Sequence, residues 1–154
     1  MRRFVIILLA LAVLAASLCG CTSAEKTGIT RHFGKTEVTG ARLYVKDGDE
    51  YKIEELGADK LGELAKALDA LTYKTYGFHT DYFWGGRYGL ELSLSDGTYW
   101  TYDGTCLQHL KASVTEDPTM EQRLDKTFAD ITEGEFWQTV TPFFEGSELL
   151  WLIG

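Results

Sequence analysis

Histidine is scarce in this chain: three residues in 154, far apart at positions 32, 79 and 109. A metal centre built on them lacks ligands, because His79 and Asp81 make only two in one loop and two ligands close no site. The acidic run Asp47-Gly48-Asp49-Glu50 fails as a calcium loop for a related reason. Tyr51 and Lys52 stand where later oxygen donors belong, so the run reads as a turn. The chain has no glycine-rich phosphate cradle and no serine elbow, and no pair of carboxylates stands out for glycoside chemistry among 23 acidic residues. Cys106 and His109 invite a nucleophile and base, but three residues apart on a strand they point to opposite faces. No cofactor is called for. Basic residues are in deficit too, 15 against 23 acidic for a net −8, and such a surface repels nucleic acid and anionic headgroups.

What the chain does carry is an address. Arg2 and Arg3 precede an apolar run over residues 4–18, the charged start and apolar middle of a secretory signal. A run of this length also suits an uncleaved membrane helix, and in both cases the residues after 21 lie outside the cytoplasm. Leu18-Cys19-Gly20-Cys21 decides between the two. It resembles the lipobox of bacterial lipoproteins, with an aliphatic residue at minus three and a small one before the cysteine. The resemblance covers the first 21 or so residues. It implies that the Cys21 thiol receives a diacylglyceryl group and that the signal peptide, residues 1–20, is cut off ahead of it. The new amino group is often acylated as well, and the protein is then held on the outer side of a cell membrane. A second acyl chain matters, since burial is worth about 0.8 kcal/mol per methylene and one chain holds only marginally.

Loss of the signal removes two of the 15 basic residues and none of the 23 acidic ones, leaving 13 against 23, a net −10. Such a charge reads as a solubilising surface. With Cys19 removed and Cys21 lipidated, Cys106 is the only cysteine thiol left, so an intramolecular disulfide is impossible. A thiol of this kind in an exported protein is expected to be buried.

Residues 22–36 are small and polar, with Gly28 and Gly34 and no apolar repeat, so 21–36 reads as a lipidated flexible tether. A coil of about 14 residues would let the domain float roughly 20 Å from its anchor. Residues 37–154 then form a single α+β domain. Ala41, Leu43 and Val45 alternate with Arg42, Tyr44 and Lys46, and the Asp47-Gly48-Asp49 turn makes a hairpin with residues 51–56. Leu61, Leu64, Leu68 and Leu71 lie on one helical face, with Asp59 as the expected cap.

The region 90–110 reads as a three-stranded meander. A three-residue loop, Ser95 to Gly97 with Gly97 left-handed, pairs Leu92 with Trp100 and Leu90 with Tyr102, and it keeps the large apolar groups on one side. After Gly104 the register stays open, so either Cys106 or Leu107 faces the core. Asp117-Pro118 and the stripe Met120, Leu124, Phe128, Ile131 predict a helix. Thr132 and Glu135 have capping-box spacing for a second, short helix that Pro142 stops. Residues 149–153 are an unbroken apolar run, read as a buried final strand or docked tail. Together these predict an antiparallel sheet, hairpin plus meander, with helices packed on one face.

One stretch is unusual. Tyr73, Tyr76, Phe78, Tyr82, Phe83, Trp84 and Tyr88 crowd into 16 residues broken by Gly77, Gly85 and Gly86. Aromatics on such a segment either close the core or display large contact area to a ligand at small entropic cost. Tyr82, Phe83 and Trp84 are the candidate binding residues, for a protein or glycan ligand. The functional expectation is a non-enzymatic, lipid-anchored binding module at the cell surface. Its rivals are an accessory or inhibitory subunit of another envelope protein, and an enzyme without a recognisable motif.

Overall fold

The Ala41-Leu43-Val45 alternation gives a long strand, β1 (Val38–Asp47), which turns through Gly48 at φ 66° and returns as β2 (Glu50–Glu55). The computed structural model describes residues 25–31, 36–76, 87–103, 106–116, 122–124 and 128–153. The other strands are β3 (Lys74–Tyr76), β4 (Tyr88–Leu94), β5 (Tyr99–Tyr102), β6 (Leu107–Leu110) and β7 (Phe128–Asp130). They form one sheet in the order β2-β1-β4-β5-β6-β7-β3, with every pairing antiparallel. Among the described residues three helices complete the α+β fold: α1 (Leu61–Ala70), α2 (Glu133–Val140) and the single turn α3 (Leu150–Ile153). None of the helices among the described residues is long and apolar enough to cross a membrane.

The meander has the register that a three-residue loop requires. The Leu94 N–H donates to the Thr98 carbonyl at 2.9 Å, Gly97 sits at φ 81°, and Leu92 faces Trp100 while Leu90 faces Tyr102. Those side chains, with Ala41, Leu43 and Val45, line one face of the sheet, and Leu64 and Leu68 of α1 and Phe136 and Val140 of α2 cover it. The question left open after Gly104 resolves in favour of Leu107, which is 3% exposed and joins the core, whereas Cys106 precedes β6 and is only half-buried. Its expected burial is therefore incomplete.

Several expectations give way to tertiary pairing. Phe128 belongs to β7, not to a helix over 118–131. The β6 edge needs a partner, and Ala129 pairs with Leu107 while the 122–124 segment hydrogen-bonds along 109–111. The Asp117-Pro118 cap and Met120 lie outside the described residues. Asp59 does not cap α1; it sits in the 3-10 turn Ala58–Lys60 that runs into the helix, where Lys60 holds the cap position. Thr132 is the cap residue of α2, but no side-chain capping bond forms there, and beyond Val140 the chain tightens into a 3-10 turn at Pro142. The tail is a helical turn, not a strand. Leu149 is buried and Leu150 and Ile153 pack on the core, while Trp151 is 88% and Leu152 53% exposed.

The largest correction concerns the tether. Lys26 and Tyr73 exchange backbone hydrogen bonds, both 2.9 Å, and the Gly28 N–H donates to the Asp69 carbonyl. Ile29 is 1% exposed in the core, and both the N–H and the hydroxyl of Thr30 donate to Asp69 Oδ1, at 2.8 and 2.6 Å. Part of the expected free coil is thus the domain's first element, because one aliphatic side chain can be buried against α1.

Candidate functional site

On the sheet face away from the helices, one rung crosses five strands: Glu55 on β2, Arg42 on β1, Glu91 on β4, Thr101 on β5 and Gln108 on β6 lie opposite one another in turn. Alternation along β4 sends Glu91 to this face because Leu90 and Leu92 take the other. The chain after β6 then folds back over the rung and buries Glu91 completely. Every need of the carboxylate is met. Arg42 Nη2 lies 2.7 Å from Oε1, the Val114 N–H donates to Oε2 at 2.7 Å, and the Ser113 hydroxyl donates at 3.1 Å. Ser113 Oγ in turn accepts from Arg42 and from the Thr115 N–H.

Burial, the largest influence, pushes the Glu91 carboxyl above the ordinary carboxylate range, opposed by the Val114 N–H, Arg42 and Ser113. With no exposed surface and its lone pairs engaged, Glu91 cannot meet a substrate. The network is a clasp that ties the 113–115 turn to the sheet. It would be worth little if exposed, but removing one partner of a buried, hydrogen-bonded charge costs several kcal/mol.

Tyr44 occupies the same face, 1% exposed, with its hydroxyl 3.0 Å from Thr101 Oγ1, and it packs with Leu110 and Val114 into a second small core. Burial drives its phenol well above the ordinary tyrosine value. At the far end of the rung, Gln108 Nε2 donates to Cys106 Sγ at 3.6 Å, and Gln108 Oε1 is buried with no hydrogen-bond partner among the described residues. A buried carbonyl left in that state costs about 1 to 3 kcal/mol. Gln108→Leu is therefore expected to hold or raise the melting temperature, and a clear drop would show that the amide oxygen has a partner.

His109 Nε2 lies 2.7 Å from Thr98 Oγ1, while Cys106 Sγ accepts from Gln108, so the two candidates for a dyad are committed to different neighbours. Asp47 pairs with Lys52 at 2.6 Å in the turn, which lowers its carboxyl from the usual value. Among the described residues no three histidine, cysteine or acidic side chains converge on a metal position. His79 and Asp81 lie outside the described residues, as do Cys21 and the binding candidates Tyr82, Phe83 and Trp84. The two ends of the aromatic stretch pack inward: Tyr73 is 4% exposed, and the Tyr88 ring lies 6.0 Å from that of Trp137.

One surface feature went unread in the sequence, and a second lies in a run expected to be buried. A groove of about 550 Å³ runs between the docked N-terminal segment and α1, lined by Thr30, Glu37, Leu61, Gly62, Lys66 and Asp69. The second is the exposed Trp151 and Leu152 pair. The only sequence signal for the groove was Ile29, an aliphatic residue in a polar stretch. The chain matches no protein-family model, no curated protein and no solved structure.

Proposed function

We propose that the protein is a non-enzymatic binding module held outside the cytoplasm by a diacylglyceryl group on Cys21. The observation that carries this reading is Leu18-Cys19-Gly20-Cys21 standing directly behind the Arg2-Arg3 start and the apolar run. In support, the domain offers an open groove of about 550 Å³ with both apolar and charged walls, the combination that gives a ligand contact area and orientation. Tyr82, Phe83 and Trp84 are assigned to the ligand as well, since three successive aromatics give large area at small entropic cost. Cells fed labelled palmitate should incorporate it into the wild-type chain and not into Cys21→Ser; label in the variant would sink the reading.

A second reading, an accessory or inhibitory subunit docked on another envelope protein, is favoured by Trp151, a large apolar side chain 88% exposed on a short helical turn. Affinity capture from crosslinked membranes separates the two. A partner recovered in fixed ratio supports the subunit, and a protein recovered alone supports the module. Trp151→Ala is expected to change folding stability by no more than about 0.5 kcal/mol, as surface substitutions do. Leu149→Ala, two residues earlier but buried, is expected to cost about 2 kcal/mol or more in the same denaturation experiment.

A further inference from the structure

The docked N-terminal segment changes what an anchor at Cys21 does. Four residues of reach separate Cys21 from Glu25, and a chain that long spans at most roughly 14 Å. Between Glu25 and Ile29 there is no slack. Lys26 is bonded to Tyr73 in both directions, Lys74 Nζ lies 3.3 Å from Glu25, and Ile29 is locked in the core.

The sheet register says which end of the domain this is. Tyr102 pairs with Leu107 and Leu107 with Ala129, while Asp130 pairs with Lys74, one position further on. Tyr73 and Lys26 therefore lie just beyond the end of the sheet that holds Tyr102. The Ser95–Gly97 loop, between Leu94 and Thr98, closes the opposite end. About six residues of strand separate the two levels, roughly 20 Å.

Resting on the lipid-anchor reading above, we infer that the Lys26–Tyr73 corner is a membrane-facing surface, held at the lipid headgroups by a tether too short to release it, with the Ser95–Gly97 end directed outward. The cleft of about 400 Å³ lined by Glu25, Thr72, Tyr73, Lys74, Thr132 and Glu135 then opens at headgroup level. A soluble ligand reaches the far end of the domain more readily than this cleft.

The test uses the full lipidated protein in vesicles of zwitterionic lipid that carry a headgroup-attached quencher. A fluorophore is attached through Thr72→Cys or Asp96→Cys, both exposed positions, in a Cys106→Ser background. Quenching at position 72 is expected to exceed that at 96 several-fold. Equal quenching in protein that carries acyl label and floats with the vesicles overturns the orientation while leaving the anchor intact. Protein without acyl label overturns the anchor and the orientation with it. A 20-residue glycine-serine insertion between Ala24 and Glu25 should bring the two positions close to parity. A difference that survives the insertion assigns the orientation to adsorption of the domain and overturns the short tether as its cause.

Discussion

Arg42→Ala is expected to cost about 3 to 5 kcal/mol of folding free energy at neutral pH, the loss found when one partner of a buried ion pair is removed. The variant leaves the Glu91 carboxylate, which has no exposed surface, without its cation, and deprives Ser113 Oγ of a donor. The cost should depend on pH in a definite direction. Burial already holds the Glu91 carboxyl above its ordinary value, and loss of Arg42 raises it further. The folded state then binds this proton more tightly than the unfolded state, so stability falls as pH rises from the unfolded value through the folded one. Below that window Glu91 is neutral in both states and the penalty shrinks. Urea denaturation of variant and parent, compared at about pH 4 and about pH 7.5, should show a smaller difference at the acid end. A difference that is the same at both would mean that Glu91 is not charged in the clasp.

Gly89→Ala is the second change with a large expected effect, about 3 kcal/mol, at the upper end for overpacking. Gly89 lies opposite Tyr44 on β1. A Cβ at Gly89 would overlap the Tyr102 carbonyl oxygen and stand 2.5 Å from the Tyr44 hydroxyl. The carbonyl belongs to a neighbouring strand and cannot swing away, and the phenol ring is enclosed. Adding Tyr44→Phe should recover only part of the loss, because the backbone overlap remains. A single variant with an unchanged urea midpoint would show that β4 can shift away from β5 at this point.

The parts of the fold that could be read were local. Asp96-Gly97 fixes its own hairpin because a left-handed glycine selects the loop length, and the stripe from Leu61 to Leu71 needs only its own helix. Phe128 shows the limit: its helical spacing from Leu124 and Ile131 was overruled by a strand edge that begins at Leu107. Glu91 shows it again. Alternation correctly put it on the face away from the helices, but its burial depends on Arg42 and on the turn at Ser113, and the latter follows a strand whose register was open. Of the candidate site, the aromatic stretch was legible as unusual, and at Tyr73 and Tyr88 the packing explanation holds. The groove beside α1 was not legible, because it exists only once Ile29 and Thr30 dock.

The exposed outer strand has a consequence for crowding. If β2 of one molecule added to β2 of another about a two-fold axis, Lys52 would meet Ile53, Tyr51 would meet Glu54, and Glu50 would face Glu55 twice in each dimer. Like charges set directly opposite across a strand pair disfavour it, and charged residues on an open edge discourage edge-to-edge growth. An outer strand that reads Glu-Tyr-Lys-Ile-Glu-Glu therefore resists pairing with the same strand of another copy, however densely the molecules are packed.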